Sequence, residues 1–187
     1  QGEELGMTNT VLERIEDFRD VESLNYFREA TEVRGQDPAE VLPALGYAGR
    51  DNSRTPVQWD SSPNAGFTTG RPWIDVNSNY TTINAASQAD DPNSILNWYR
   101  KLIALRNSDK TLVYGNFKAL EITRHVFVYR REVEGRSITV LLNFSDKPRK
   151  ADYSGRLVLS SYDRSSYSGT LEPYEAVLLE NGRAVRI

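Results

Sequence analysis

The residues best suited to chemistry lie in one run, Gly49-Arg50-Asp51-Asn52-Ser53-Arg54-Thr55-Pro56-Val57-Gln58-Trp59-Asp60. Arg50 and Arg54 bracket an aspartate and an asparagine inside a stretch with no regular apolar period. A guanidinium presents planar, forked N–H donors that suit a carboxylate or a pair of sugar hydroxyls. Residue types alone leave two roles open, and the plainer is the commoner: arginines that tie down a neighbouring loop, or donors that line a pocket. Trp59 and Trp73 divide in the same way, between stacking platforms for a sugar ring and apolar anchors for a loop. Glu3, Glu4, Asp51, Asp60 and Asp75 add carboxylates to this region, while the single histidine, His125, lies far along the chain.

Composition removes several classes of function. The chain has 187 residues, with 23 basic and 26 acidic side chains and a net charge of −3, so no positive field draws in phosphate backbones and no nucleic-acid partner is expected. There is no cysteine, which excludes disulfides and thiolate metal sites. One histidine barely begins a zinc or non-haem iron centre, so neither metal nor other cofactor is expected. No apolar run approaches the roughly 18 residues that span a bilayer, and no membrane partner is expected. A hydrophobic share of 39% with 26% charged residues reads as a folded globular chain, with the cytoplasm as its expected compartment. The opening Gln1-Gly2-Glu3-Glu4 reads as a chain that begins in the middle of an element.

The elements that must position these residues are short. Residues 20–33 place Leu24, Phe27 and Ala30 on one helical face. Residues 37–46 start with Asp37 as N-cap and Pro38 at the first helical position, followed by Val41, Leu42 and Leu45. From Gly46 to Asp91, prolines, glycines and asparagines break every regular pattern. Trp59, Phe67, Trp73, Ile74, Tyr80 and Ile83 call for burial there, which predicts a long, ordered, aromatic-rich loop. Residues 92–107 predict a helix capped by Asp91 and Pro92, with Ile95, Leu96, Tyr99, Leu102, Ile103 and Arg106 recurring at its period.

After Asp109 the texture changes. Strands are predicted at Leu112-Val113-Tyr114, at residues 117–120, 125–130 (with His125), 137–144 and 156–159, and at residues 175–179. Turn formers separate them, among them Glu134-Gly135 and Asn181-Gly182. Short strands with frequent turns predict a small antiparallel β-sandwich.

The run Arg50-Asp51-Asn52-Ser53-Arg54-Thr55-Pro56-Val57-Gln58-Trp59-Asp60 closely resembles a signature of the α-glucosidase branch of the α-amylase-type glycoside hydrolases. That branch includes oligo-1,6-glucosidases, dextran glucosidases, trehalose-6-phosphate hydrolases and sucrose isomerases. Gln1-Gly2-Glu3-Glu4-Leu5-Gly6-Met7-Thr8-Asn9 resembles the end of their eighth barrel strand and the turn after it. Asn64-Ala65-Gly66-Phe67-Thr68, Asn79-Tyr80, Ile83-Asn84 and Tyr99-Arg100-Lys101-Leu102-Ile103 match as well. Val57 stands where those sequences usually have methionine, a change expected to affect loop packing more than chemistry.

The resemblance implies an α+β chain: the tail end of a (β/α)8 barrel over residues 1–110, then an antiparallel β-sandwich over residues 111–187. Residues 1–4 would close strand eight, residues 5–91 would form the loop after it, and residues 92–107 the last barrel helix. Active sites of such barrels lie at the C-terminal ends of the strands, so that loop would wall the pocket. By family pattern Arg54 would contact the non-reducing-end glucose, often beside an aspartate from the first part of the barrel, and Glu22 would face the next sugar; Arg50 is expected to bind substrate with them. The nucleophile and the acid/base of these retaining enzymes would lie upstream of the residues in hand. Glu3, Glu4, Asp51, Asp60 and Asp75 then read as structural or solvated carboxylates, with Glu4 paired to a base, and His125 as structural.

The expected activity is that of a retaining, exo-acting α-glucosidase on short α-linked oligosaccharides, with these residues inactive alone. Sibling substrates compete with this reading: trehalose 6-phosphate, dextran ends, or sucrose for isomerisation, the last disfavoured by Asp20-Val21-Glu22-Ser23-Leu24-Asn25. The alternatives from other classes are a non-catalytic homologue serving as a partner-binding scaffold and a free carbohydrate-binding module. A barrel end without its neighbours is also expected to expose apolar surface.

Overall fold

Aspartate and asparagine side chains start most of the helices. The computed structural model describes residues 1–181. In it Asp20 accepts the Ser23 N–H to cap α1 (Val21–Arg28), and Asp37 accepts the Ala39 N–H to cap α2 (Pro38–Ala48). Asn84 caps α3 (Ala85–Ala89) in the same way. Helix α4 (Ile95–Ser108) starts three residues later than predicted. Asp91 uses its side chain on the Asn93 N–H within a turn, and the Ser94 hydroxyl accepts the Asn97 N–H instead. Asp109 caps α5 (Lys110–Tyr114) through the Thr111 N–H, so Leu112-Val113-Tyr114 is helical and not the predicted strand.

Two compact units divide at Arg100 and Lys101. In the first, α1 runs into one wider π turn, Glu29–Val33, where the Arg34 N–H reaches back to the Glu29 carbonyl. Ser23 and Ala30 are buried on its inner face, with Leu24 and Phe27 half-buried beside them. Glu3–Leu5 form a 3₁₀ turn between the left-handed Gly2 and Gly6, where a strand end was predicted. The Glu4 carboxylate accepts the Gly2 N–H and meets no base among the described residues.

The region from Gly49 to Asn84 is built of 3₁₀ turns: Arg50–Arg54, Pro63–Gly66 and Ser78–Thr81. Its aromatic side chains are not what orders it. Ile74 is buried, but Trp59 is 53% exposed, Trp73 52% and Phe67 44%. Buried polar side chains do the ordering, because a backbone without sheet partners must still satisfy its polar groups. Gln58 donates to Asn79 Oδ1 and to the Ile83 carbonyl. Asn77 donates to the carbonyls of Thr8 and Asn9, and Asn84 to that of Tyr80.

In the second unit a five-stranded antiparallel sheet is formed by β1 (Asn116–Ile122), β2 (Val126–Val133), β3 (Arg136–Asn143), β7 (Ala176–Asn181) and β5 (Arg156–Ser160), in that order. A two-stranded ribbon, β4 (Arg149–Lys150) with β6 (Thr170–Leu171), lies outside the predicted strands. Glu134 and Gly135, both left-handed, make the tight turn that sets the β2–β3 register. His125 lies in the turn before β2, not in a strand, with its carbonyl accepting the Phe144 N–H. Of the predicted turn Asn181-Gly182, the glycine lies outside the described residues.

Strand β3 alternates its side chains between two buried faces. Leu141 joins Val126, Val128, Val177 and Leu179, with Leu171 and Ala151 from the ribbon side. Ile138 and Val140 join Leu178 on the other face, against Leu105 of α4 and Leu112 of α5. Arg136 ties the cap of α5 to the sheet: its Nη1 is 2.7 Å from Asp109 Oδ1 and its Nε 2.5 Å from Glu180 Oε1. Glu180 also pairs with Arg156.

Candidate functional site

The paired arginines sit on the 3₁₀ turn Arg50–Arg54, which starts where α2 ends at Gly49. A Cβ at Gly49 would lie 2.6 Å from the Leu45 carbonyl oxygen, so only glycine lets the chain leave the helix this closely. In a 3₁₀ helix residues three apart eclipse one another, which puts Asp51 and Arg54 on the same side.

Both arginines turn to Asp20. Arg54 Nη1 is 3.0 Å from Asp20 Oδ1 and 3.7 Å from Asp51 Oδ1. Arg50 Nη2 is 3.0 Å from the same Asp20 oxygen and 2.7 Å from Glu22 Oε2. The other Asp20 oxygen is occupied by the N–H and hydroxyl of Ser23. Burial works to raise the pKa of this carboxyl. The Ser23 N–H and the two guanidiniums outweigh it and hold the group below the ordinary carboxylate range. An acid this well partnered stays ionised and orients its neighbours.

The structure thus brings together all three residues singled out in the sequence, Arg54, Arg50 and Glu22. The two arginines here contact protein carboxylates, and Glu22 contacts the Arg50 guanidinium. The acid at the centre is one that residue types mark only as a helix start. Its signal was an N-cap aspartate, a residue that uses one oxygen for capping and keeps a second for other partners. Arg54 retains capacity as well: its Nε and Nη2 make no hydrogen bond among the described residues, and its side chain is 40% exposed. A fork held along one edge and open along the other can take up hydroxyls without searching for its orientation.

An open cleft of about 440 Å³ runs beside this cluster. Asp20, Glu22, Ser23 and Tyr26 line it from α1, Leu45 and Ala48 from α2, and Arg50 from the turn. Arg54 does not line this cleft. Two other carboxylates of the region have donors of their own. Asp51 is fully buried and accepts the backbone N–H groups of Arg19 and Asp20. Asp60 accepts the hydroxyl and N–H of Ser62, which hold its pKa below the ordinary range. Among the described residues no group of three or more His, Cys, Asp or Glu side chains could hold a metal ion, and no helix is long and apolar enough to cross a membrane.

Residues 1–115 match the family described as Alpha amylase, catalytic domain. Over 171 residues the chain is 46% identical to the oligo-1,6-glucosidase of Parageobacillus thermoglucosidasius, which covers 87% of this chain and 30% of that protein. It is 43% identical to the trehalose-6-phosphate hydrolase of Escherichia coli (strain K12), over 95% of this chain and 34% of that protein. The trehalulose synthase MutB of Pseudomonas mesoacidophila MX-45 superposes with a TM-score of 0.89 at 34% identity, over 96% of this chain and 34% of that one. The chain spans about a third of the length of the curated relatives it matches. The family match and these relatives agree with the signature around Arg50 and Arg54, and the chain belongs to the α-amylase family, on its α-glucosidase branch.

Proposed function

We propose that this chain forms one wall of the sugar pocket in a retaining, exo-acting α-glucosidase of the cytoplasm that releases glucose from short α-linked oligosaccharides. Residues 1–110 serve as the tail of a (β/α)8 barrel, and residues 111–187 as an antiparallel β-sandwich. The nucleophile and the acid/base come from sequence outside these 187 residues, in keeping with the third of its relatives' length that the chain spans. Arg54 holds the non-reducing-end glucose through its open edge, while Glu22, aligned by Arg50, faces the next sugar unit.

The observation that carries this reading is the convergence of Arg54 and Arg50 on the single oxygen Asp20 Oδ1, with Glu22 on the second guanidinium. Such a cluster fixes two forked donors before any ligand arrives, Arg50 among them at the edge of an open cleft, and prior orientation reduces the cost of binding. Hydrolysis is favoured over isomerisation by identity, at 46% to an oligo-1,6-glucosidase and 34% to a trehalulose synthase.

The test compares the whole protein with the 187-residue chain on isomaltose, maltose, trehalose 6-phosphate and sucrose, following the anomer released by NMR. The whole protein is expected to release α-glucose, and the 187-residue chain to release none. Glucose production by the 187 residues alone, or release of the β-anomer by the whole protein, would sink the proposal.

A further inference from the structure

Asp51 has no exposed surface, yet it is an acid set between the two arginines in sequence. Its Oδ2 accepts two backbone N–H groups, from Arg19 at 2.7 Å and from Asp20 at 2.9 Å. Its Oδ1 is buried and makes no hydrogen bond. The cation facing that oxygen is Arg54, with Nη1 at 3.7 Å.

We infer that Asp51 is the positioning residue of this pocket, setting the direction of Arg54 by two routes at once. The inference rests on the sugar-pocket reading of Arg54. The first route is direct: a buried anion draws the guanidinium toward its own side of the turn, in surroundings that screen the charge little. The second route passes through the backbone. By gripping the N–H groups of Arg19 and Asp20, Asp51 fixes the start of α1, and with it the Asp20 carboxylate that takes both arginines. Asp51 touches no ligand, being fully buried, so its effect on catalysis is exerted through Arg54 and Asp20.

The substitution Asp51→Asn separates this role from simple folding. An amide oxygen can accept the same two backbone N–H groups, which preserves the grip on α1. The amide nitrogen then faces Arg54 Nη1 as donor against donor, where an anion stood before.

The experiment is a double-mutant cycle in the whole protein, made of the unaltered enzyme, Asp51→Asn, Arg54→Ala and the double variant, read by kcat/KM on isomaltose and by Tm. Asp51→Asn is expected to lower kcat/KM by about tenfold in the unaltered background and by less than about twofold once Arg54 is alanine. The Tm loss caused by Asp51→Asn is likewise expected to shrink in the Arg54→Ala background. Equal losses of kcat/KM in both backgrounds overturn the positioning role, and equal losses of Tm overturn the direct coupling. An unaltered enzyme with no α-glucosidase activity defeats the proposed function, and the kinetic role with it; the Tm cycle then still decides whether the two side chains act on one another. Should Asp51→Asn not fold, Asp51→Ser, whose hydroxyl still accepts a backbone N–H, takes its place in the same cycle.

Discussion

Asp20 Oδ1 lies 3.0 Å from Arg54 Nη1 across 34 positions of sequence. A helix cap and the Arg54 guanidinium therefore share one carboxylate. The hydrogen bonds that start α1 also decide where the guanidinium points. On the proposed sugar-pocket role of Arg54, stability and ligand binding are coupled at this carboxylate.

Asp20→Ala removes both functions of that carboxylate. The expected result is a rise in KM for a short α-glucoside on the order of tenfold, the scale of one lost charge-assisted hydrogen bond. Asp20→Asn, which keeps one acceptor oxygen, is expected to lie between the two. Steady-state kinetics on the whole protein, with circular dichroism to follow helix content, checks both statements.

The turn that carries the arginines depends on Gly49. In Gly49→Ala a methyl group would lie 2.6 Å from the Leu45 carbonyl oxygen, and backbone cannot rotate away as a side chain can. The end of α2 must shift, taking Arg50 with it. A stability loss of about 1–3 kcal/mol is expected, of the size usual for forced overpacking, together with weaker sugar binding. Urea unfolding and a binding titration provide the two measurements.

The second unit rests on its apolar layers. Leu141, fully buried among Val128, Val177, Leu179 and Leu171, is expected to cost about 2–5 kcal/mol when cut to alanine. Ile122, 73% exposed at the end of β1, is expected to cost less than about 0.5 kcal/mol when cut in the same way. Equal losses at the two positions in chemical denaturation would contradict the layer arrangement.

Acid should loosen the second unit through Arg136. Its guanidinium holds the carboxyls of Asp109 and Glu180 below the ordinary carboxylate range, with Arg156 assisting at Glu180. A carboxyl whose folded pKa is depressed contributes stability above its unfolded pKa, about 4, and that contribution disappears as pH falls through the folded value. Arg136→Gln is therefore expected to lower Tm at pH 7, with the gap narrowing as pH falls below about 4. A gap that stays constant from pH 7 to pH 3 would count against the linkage.

Much of the fold was legible where a cap and a period agreed. Asp37 with Pro38 announces α2, and the apolar runs at residues 125–130 and 137–144 announce the two long strands, found at 126–133 and 136–143. Leu112-Val113-Tyr114 misleads because three apolar residues fit a strand or a single helical turn equally well. The Asp109 side chain on the Thr111 N–H selects the turn. Ribbon strands of two residues are too short to show any period. In the long loop, tryptophan content suggested burial, whereas order comes from Gln58, Asn77 and Asn84, polar residues whose types mark turns and say nothing of their distant partners. The site was half legible for the same reason. Residue types and the family signature pick out Arg50, Arg54 and Glu22, but Asp20 and Asp51 matter through contacts between segments far apart in the chain.

The eclipsed placement of Asp51 and Arg54 on a 3₁₀ turn has a consequence for how this stretch can vary. Each residue of such a turn advances the chain by roughly 120°, so one inserted or deleted position between them swings the guanidinium a third of the way round the axis. Ser53, exposed and with its hydroxyl on the Arg50 carbonyl, can be exchanged for other types at little cost. Surface connections ordinarily absorb extra residues freely. This one is expected to accept spelling changes and to reject any change of length.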